Sequence, residues 1–390
     1  MTREQAAALN RVDPFASVRD RFVIPQGLVY LDGNSLGLMP RGAPERAEEI
    51  LGQWSQRLIR GWMEGGWWEL PLLLGDRIGS LIGAEPGQVV VCDTTTTNLY
   101  KALLAAADLD PGRTVIVIEE GAFPTDRYVA ESVARRIGGR TRVTSRGRSV
   151  DDLLDDEVAV VVMNHVDFRT AEIAEMGSTT ETIHGSGALA VWDLSHSAGV
   201  LPISLDHWDV DFAVGCTYKY LNGGPGAPAY LYVNRMHLDR AANPIPGWIG
   251  HAEPFLMEEG YRPAPGIRRF ITGTQPIVSM SLLDAALDVY DGIGMSELRA
   301  KSVALTGLFI DLVDERLGLE VASPRDPQRR GSQVSLRHPD AAGVYERLVA
   351  AGLQGDVRPP DLLRFGFAPL YVSFTDVWDA VDVLAGVLEA

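Results

Sequence analysis

The sequence is poor in two residue types that often signal function. Its 390 residues include three lysines, Lys101, Lys219 and Lys301, and two cysteines, Cys92 and Cys216. The cysteines lie far apart in the sequence and show no metal-ligand spacing, which argues against a disulfide framework and a cysteine-based metal site. Free cysteines suit a reducing compartment, so we expect a cytoplasmic protein that binds no metal.

Positive charge and long hydrophobic runs are also scarce. The formal net charge is −17 at pH 7, and a polyanion is a poor partner for nucleic acid or for an anionic membrane surface. No apolar run approaches the roughly 20 residues that span a bilayer. The N-terminal stretch MTREQAAALNRVDPF lacks the apolar centre of a secretory signal. We therefore expect a small-molecule ligand, and neither nucleic acid nor a membrane as a partner.

The middle of the sequence consists of short apolar runs that alternate with helical patterns. Strands are predicted at 88–92, 114–119, 158–165, 188–193, 210–216 and 229–234, with helices at 97–107 and 125–138. The runs are nearly continuous in hydrophobicity, which is typical of strands buried on both faces. The alternation predicts an α/β fold with a mostly parallel central sheet flanked by helices. In such sheets, ligands bind at the carboxyl ends of the strands.

The pattern changes after about residue 275. A long amphipathic helix is predicted at 295–318, and shorter elements follow at 332–338, 342–352 and 374–389. We therefore predict three parts. They are an N-terminal arm and loop (1–40) that contributes to the small domain and the active site, a large domain with the binding site (41–274), and a smaller α+β C-terminal domain (275–390).

Three polar residues follow predicted strands in the centre of the sheet. Asp193 ends the run ALAVWD, His196 comes three residues later, and Lys219 follows VDFAVGC. A carboxylate at the end of a buried strand needs a cationic partner, although an aspartate there can also simply cap a turn. Lysine is costly there as a permanent cation but useful as an amine that forms a Schiff base. Since arginine supplies most of the positive charge, a lysine at 219 indicates chemistry that arginine cannot perform.

Two further strand ends offer contacts for a phosphate and a ring. CDTTTTNLYKALL (92–104) passes from strand to helix through four threonines, which either cap the helix or present hydroxyl and N–H groups to a phosphate. EEGAFPTDRY (119–128) adds an aromatic ring at Phe123 and a carboxylate at Asp126. A phosphate cradle, an aromatic face, an aspartate with a nearby histidine and an amine together predict a pyridoxal 5′-phosphate site.

Five segments resemble one known family. The segments YLDGNSLGLMP, AFPTD, DLSHSAGVLPISLDHWDVDFAVGCTYKYLNGGPGAPAYLYV, GWIGHAEPF and LLRFGFAPLYVSFTDV are similar to kynureninases, from about residue 29 to the C-terminus. The resemblance implies a fold-type I pyridoxal phosphate enzyme and a homodimer with shared active sites. It implies hydrolysis of L-kynurenine, or its 3-hydroxy form, to anthranilate or 3-hydroxyanthranilate and L-alanine, within tryptophan catabolism and NAD biosynthesis.

The resemblance also assigns roles to individual residues. Lys219 looks like the Schiff-base lysine, Tyr218 like a contact of the cofactor phosphate, and Asp193 like the partner of the ring nitrogen. Because Tyr218 adjoins Lys219, it is also our candidate for an acid or base. The remaining cofactor contacts that it implies are Thr95, Thr96, Phe123, Asp126, Asn164, His196, Trp248 and Thr274, of which the last two reach the neighbouring subunit. The substrate contacts that it implies are Arg364, Ser35 and Trp62, with Arg364 as the clamp for the α-carboxylate.

Besides the unusually threonine-rich turn TTTTN, two features depart from the family pattern. Asn164 stands where a hydroxyl-bearing residue is common, and the stretch GWMEGGWWELP is unusually dense in tryptophan. Tryptophans in this stretch serve either the substrate pocket or packing in the core and the dimer. Both departures concern the detail of the substrate pocket more than the cofactor.

Related functions stay open at the level of sequence. An aminotransferase or epimerase of the same superfamily, acting on another amino acid, shares the cofactor residues and differs only in the substrate pocket. A cysteine desulfurase needs a nucleophilic cysteine on an exposed loop, whereas Cys92 and Cys216 are predicted to be buried at strand ends. A non-catalytic homologue that binds a metabolite would have little reason to keep Lys219 in so lysine-poor a chain.

Overall fold

The structure, a computed structural model, describes residues 1–144 and 149–389. Residue 390, the end of the predicted small domain, lies outside the described residues. The α-helices are α1 Arg3–Asn10, α2 Ala16–Arg19, α3 Ala43–Arg57, α4 Gly61–Glu64, α5 Leu70–Ile82, α6 Thr95–Asp108, α7 Pro124–Arg136, α8 Met176–Gly185, α9 Ile277–Leu287, α10 Met295–Arg316, α11 Ala341–Ala350 and α12 Phe374–Glu389. None of these helices is long and apolar enough to cross a membrane.

Thirteen β-strands are present in the described residues. The strands are β1 Val29–Tyr30, β2 Val89–Val91, β3 Val115–Ile118, β4 Arg140–Val143, β5 Val158–Asn164, β6 Leu189–Asp193, β7 Phe212–Gly215, β8 Tyr230–Val233, β9 Glu320–Val321, β10 Gln333–Arg337, β11 Leu353–Gln354, β12 Asp356–Arg358 and β13 Leu362–Gly366. Short 3₁₀ helices lie at Leu58–Arg60, Val150–Leu153, Trp248–Gly250, Pro254–Leu256, Gly266–Phe270 and Asp288–Tyr290.

Seven strands form the central sheet in the order β2-β8-β7-β6-β5-β3-β4. The neighbours from β7 to β4 pair in parallel, whereas β8 pairs antiparallel with both β7 and β2. All six predicted strands are in this sheet, which confirms the α/β prediction. The sequence pattern missed β4, because its residues RTRV alternate charged and apolar side chains as an edge strand does.

Both faces of the sheet are covered, and this explains the continuous apolar runs. Within β2, Val90 packs with α6 and α7 on one face, while Val89 and Val91 pack into a second cluster on the other face. The same alternation holds along β6, where Val191 belongs to the first cluster and Trp192 to the second. Each such side chain contributes roughly 1.5–3 kcal/mol by leaving water. Burial on both faces therefore fixes the strands that carry the polar residues.

The C-terminal residues form a smaller antiparallel sheet in the order β12-β13-β10-β9. Helix α12 packs against α10 and α11, and α1 of the N-terminal arm packs against α12. Strand β1 pairs in parallel with β11, so the loop after it lies beside the C-terminal sheet. The predicted helix at 295–318 and the predicted elements beyond it are confirmed within two residues. The division into parts at residues 40 and 275 stays a prediction.

The scarce lysines are not surface cations in this fold. Lys101 is fully buried and pairs with Asp93 at 2.8 Å. Lys301 is also buried and pairs with Asp13 at 2.7 Å. Lys219 is half-buried after β7. Each lysine therefore has a specific neighbour or site, and the arginines and the acidic residues provide the surface charge.

Candidate active site

A cavity of about 210 Å³ opens where β5, β6 and β7 end and α6 and α7 begin. Its walls are formed by Thr95, Thr96, Phe123, Thr125, Asp126, Asn164, Val166, Phe168, Asp193, Ser195, His196, Tyr218 and Lys219. Nine of the fourteen predicted site residues are in this set. The cavity lies at the carboxyl ends of parallel strands, where the topology places ligands. Thr125, Val166, Phe168 and Ser195 were missed, because isolated residues of these types carry no functional signal.

Lys219 and His196 meet across the cavity. Nζ of Lys219 lies 2.8 Å from Nε2 of His196. Burial, followed by the positive charge of Lys219, lowers the pKa of His196 well below its ordinary value. The imidazole is therefore neutral at neutral pH, and its Nε2 accepts a hydrogen bond from the amine. Nδ1 of His196 has no hydrogen-bond partner among residues 1–144 and 149–389.

The carboxyl group of Asp193, at the end of β6, faces that of Asp126, in the first turn of α7. Oδ1 of Asp193 accepts a hydrogen bond from the backbone N–H of Ser195 at 2.6 Å. Oδ2 of Asp126 accepts one from Nδ2 of Asn164 at 2.7 Å. Burial, followed by the negative charge of Asp193, raises the pKa of Asp126 well above its usual range. The protonated form of Asp126 is thus favoured relative to an aspartate in water.

The threonine turn forms the third wall. Oγ1 of Thr94 caps α6 by accepting from the backbone N–H of Thr97 at 3.3 Å. Thr95 and Thr96, in the first helical turn, line the cavity. The first N–H groups of a helix have no intrahelical partner and lie at the positive end of its dipole. Thr94 provides the cap, which leaves Thr95 and Thr96 facing the cavity.

Aromatic and phenolic groups complete the cavity. The Phe123 ring stands edge-on to Phe168 with 5.3 Å between ring centres, and it remains 40% exposed, so one face is free to cover a flat ligand. The backbone N–H of Phe123 donates to Oδ1 of Asn164 at 3.0 Å. The adjoining Cys216 thiol, together with burial, raises the pKa of Tyr218. The Tyr218 hydroxyl is therefore protonated at neutral pH.

Arg364 lies behind the cavity and is completely buried on β13. Its Nη1 donates to the carbonyl oxygen of Phe168 at 2.6 Å, and its Nε donates to Oδ1 of Asp356 at 2.7 Å. Its Nη2 donates to Oγ of Ser35 at 2.9 Å and also contacts Asp356. Arg364 and Ser35 therefore contact each other, although neither lines the cavity, and Asp356 holds one edge of the guanidinium. Their role as substrate contacts stays a prediction.

The sequence analysis missed three charged residues near Arg364, namely Asp356, Arg358 and Asp32. Nη2 of Arg358 lies 2.9 Å from Oδ2 of Asp356. Burial, followed by the charge of Asp356, raises the pKa of Asp32 to about 7. The charged residues in GDVRPPDLLRF were a usable signal, because charges inside a strand that is otherwise apolar need partners.

Trp62, Trp248 and Thr274 do not line the cavity of their own chain. Trp62 packs edge-on against Trp67, with 5.8 Å between ring centres, and against Trp68. Trp68 in turn contacts Trp248 at 5.7 Å. The role of Trp62 as a substrate contact stays a prediction. Packing between tryptophans explains its position.

The cavity fits pyridoxal phosphate on three counts. Burial and the neighbouring Asp193 carboxylate raise the pKa of Asp126, and a protonated pyridine nitrogen would supply this carboxyl pair with a cationic N–H. The first turn of α6 offers donors to a phosphate. The amine of Lys219 lies on the same cavity wall as His196. These three features suit the two ends and the reactive aldehyde of this cofactor.

Comparison with known proteins decides the family. The kynureninase of Burkholderia pseudomallei (strain 1106a) is 47% identical over 398 residues, which cover 100% of this chain and 96% of that protein. The chain belongs to the kynureninase family. The kynureninase of Pseudomonas fluorescens is 44% identical over the same span of 398 residues. The family model for the kynureninase C-terminal domain matches residues 298–384. The resemblance predicted from sequence motifs is confirmed.

Solved structures show the same architecture. A cysteine desulfurase from Thermococcus onnurineus NA1 superposes with a TM-score of 0.81 at 18% identity, covering 96% of this chain and 98% of that one. C-DES with glycine covalently linked to its PLP cofactor gives 0.83 at 17% identity, covering 94% and 98%. These likenesses confirm the fold-type I architecture of this kynureninase-family chain. Cys92 and Cys216 are both buried, so neither offers the exposed nucleophile of a desulfurase.

Proposed function

We propose that this chain hydrolyses L-kynurenine to anthranilate and L-alanine with pyridoxal phosphate as its cofactor. The single observation that carries the proposal is the pair Lys219–His196, in which an amine is held at 2.8 Å by a neutral imidazole. The pair shares its cavity with the Asp126–Asp193 pair and the threonine turn. Membership of the kynureninase family selects the carbon–carbon bond between Cβ and Cγ as the one that is cleaved.

The cofactor supplies an aldehyde for imine formation and a ring that accepts electrons from the carbon next to the imine. The task of Asp193 is to keep the ring nitrogen protonated, since a carboxylate beside a pyridinium favours the charged form. Asp126 and the N–H of Ser195 fix the direction of that carboxylate. Removing the Asp193 charge would therefore weaken the electron sink without emptying the cavity.

Lys219 is the residue that holds and moves the proton at Cα of the substrate. An amine performs this as a neutral base, whereas a guanidinium stays charged at any accessible pH. His196 accepts from Nζ and so directs the amine toward the cavity. The need for a titratable amine explains why the chain has lysine rather than arginine at this position.

Two other side chains act on the substrate. Arg364 binds the α-carboxylate from the edge of its guanidinium that Asp356 does not hold, where Nη1 now donates to the Phe168 carbonyl and Nη2 to Ser35. Tyr218 adjoins Lys219 and holds its proton at neutral pH, so its role is that of an acid which donates a proton rather than a base. Hydration of the side-chain ketone needs a separate base, which the cavity geometry does not single out.

The active unit is a homodimer that works in the cytoplasm. Large apolar side chains are exposed at Trp54, Leu58, Ile59, Met63, Trp248, Phe255, Leu256 and Met257. These residues belong to two segments, 54–63 and 248–257. Trp68, which follows the first segment, packs against the second, with 5.3 Å between its ring centre and that of Phe255. Exposed patches of this kind mark interaction surfaces. Trp248 and Thr274 are in or near this surface and outside their own cavity, which supports contacts with the phosphate in a neighbouring subunit.

The direct test is the fluorescence of released anthranilate, with purified protein, pyridoxal phosphate and L-kynurenine, and alanine measured in parallel. Equal amounts of both products would establish the reaction. The variant Lys219→Ala should release neither product, while Lys301→Met should stay active because that lysine pairs with Asp13 and does not line the cavity. Normal turnover by Lys219→Ala would overturn the proposal. Keto-acid dependence without anthranilate would indicate an aminotransferase instead.

A further inference from the structure

Lys101 is a buried cation that the reaction described above does not use. From the second turn of α6, its Nζ donates to Oδ2 of Asp93 and to the carbonyl oxygen of Phe270, both at 2.8 Å. Nζ also lies 3.3 Å from the sulfur of Cys92. Burial raises the pKa of the Cys92 thiol to about 11, so this sulfur is neutral at pH 7. Asp93 therefore supplies the negative charge that balances Lys101.

Asp93 is the residue at which the chain turns from β2 into the threonine turn. Its φ is +48°, a left-handed conformation that aspartate tolerates but most residues avoid. Its carbonyl oxygen accepts from the backbone N–H of Ala229 at 2.9 Å. The next residue, Thr94, is the cap of α6. The conformation of Asp93 therefore sets the direction in which the first N–H groups of α6 point.

The same two residues reach a second segment of the chain. Oδ1 of Asp93 accepts from the hydroxyl of Thr272 at 3.2 Å, and Lys101 holds the carbonyl of Phe270. Thr274, two residues beyond Thr272, is the residue proposed above to reach the phosphate of the neighbouring subunit. Lys101 and Asp93 thus join the two segments to which phosphate contacts are assigned.

We propose that Lys101 and Asp93 form a buried clamp that positions the threonine turn for the cofactor phosphate and keeps that turn free of net negative charge. The inference rests on the proposed role of Thr95 and Thr96. A phosphate dianion is attracted by the positive end of α6. An unpaired carboxylate just before the helix cap would oppose this attraction, and Lys101 removes that opposition by pairing with it.

The test measures the affinities of the full-length protein, freed of cofactor, for pyridoxal 5′-phosphate and for pyridoxal, which lacks the phosphate. Imine formation at Lys219 is followed by its visible absorbance. Lys101→Met should weaken binding of the phosphorylated form about tenfold and leave pyridoxal within about twofold. Lys101→Gln keeps hydrogen-bond donors while losing the charge, so it should show the same loss of selectivity even where the methionine variant does not fold.

The matched control is Lys301→Met, which breaks the other buried lysine–aspartate pair, with Asp13. It should lower stability but leave the ratio of the two affinities unchanged. Adding Asp93→Asn to Lys101→Met should restore part of the selectivity, because the unpaired charge is removed. Thr96→Val reports on the turn itself and should also reduce the preference for the phosphorylated form.

The outcomes distinguish the role of Lys101 and Asp93 from the role of the threonine turn as the phosphate site. Equal weakening of both ligands, or no change in either, in the Lys101 variants would show that Lys101 has only a structural role and would overturn the clamp. If the unmodified protein binds pyridoxal as tightly as pyridoxal phosphate, the assignment of the threonine turn fails first. The clamp is established if the unmodified protein and Lys301→Met both prefer pyridoxal phosphate over pyridoxal and Lys101→Gln loses that preference.

Discussion

Nζ of Lys219 lies 2.8 Å from Nε2 of His196, which joins the residues that follow two neighbouring parallel strands. The histidine is buried and sits beside a positive charge, and both effects lower its pKa. It therefore accepts the hydrogen bond as a neutral ring over the whole physiological range of pH. A neutral imidazole can accept a hydrogen bond from the amine of Lys219 and so orient it, whereas an imidazolium, with a proton on each ring nitrogen, could not.

The first prediction concerns the pH profile of His196→Phe. The substitution keeps an aromatic ring and removes the acceptor, so kcat/KM should fall by about tenfold or more. Since the pKa of His196 is lowered, the group does not titrate near its ordinary pKa of about 6.5. The loss should therefore be uniform between about pH 6 and 8. An acid limb that is present in the unmodified enzyme and absent from the variant would contradict this.

The second prediction compares two aspartates that look alike in sequence. Burial and Asp193 raise the pKa of Asp126 and so favour its neutral form, which makes Asp126→Asn, with its neutral donor, the milder substitution. Asp193→Asn removes the charge itself. We expect kcat to fall less than about tenfold in the first variant and about 10³-fold in the second. Equal losses in steady-state kinetics would show that both carboxylates are ionised.

The third prediction concerns the substrate carboxylate. Arg364→Lys keeps the charge but loses the planar fork that contacts Asp356 and Ser35. KM for L-kynurenine should rise about 100-fold with a smaller change in kcat. Arg358→Lys is the matched control and should change KM far less, because Arg358 contacts Asp356 rather than the cavity wall. A larger rise in KM for the control would show that Arg358, rather than Arg364, binds the substrate carboxylate.

The fourth prediction concerns stability far from the cavity. Although burial acts to raise it, hydrogen bonds from His184 and His237, both at 2.7 Å, hold the pKa of Asp211 below its usual value. The bond to Asp211 also raises the pKa of His184. A raised folded-state pKa stabilises the protein below the unfolded value of about 6.5, and this contribution is lost as pH rises through the folded pKa.

His184→Gln should therefore lower the melting temperature most at about pH 5.5 and least at about pH 8.5. Calorimetry or circular dichroism at matched ionic strength measures this. His207→Gln, at an exposed histidine, should show no such trend. A destabilisation by His184→Gln that grows with pH would reverse the sign and refute the pairing.

The fifth prediction addresses the shared active site. Mixing Lys219→Ala with Trp248→Ala subunits, each poorly active alone, should restore up to about a quarter of the normal activity, because hybrid dimers regain one intact site. Light scattering should show dimers throughout. Shared active sites are confirmed if the mixture of the two variants regains activity and a mixture of two Lys219→Ala preparations does not. No gain despite exchange of subunits would place Trp248 in a packing role alone.

Most residues of the cavity wall could be predicted from the sequence, but the charged residues that hold Arg364 in place could not. The residues after strands β5, β6 and β7 were predictable, because parallel strands bring their carboxyl ends to one edge. Asn164, Asp193 and Lys219 are examples. The sequence analysis missed Asp356: the charges in GDVRPPDLLRF indicate that partners are needed, but only the fold shows that Arg364 is the partner of Asp356. Trp62 was assigned to the substrate pocket, yet its contacts are with other tryptophans.

What the sequence determined by itself is the order of strands and helices, the family and the need for a titratable amine at Lys219. These follow from periodicity and side-chain chemistry, which are local properties. The tertiary structure decided which charges neutralise one another: Lys101 with Asp93, Lys301 with Asp13, and Arg364 with Asp356. Electrostatic energy depends on distance and burial, and neither is known until the fold brings residues far apart in sequence together.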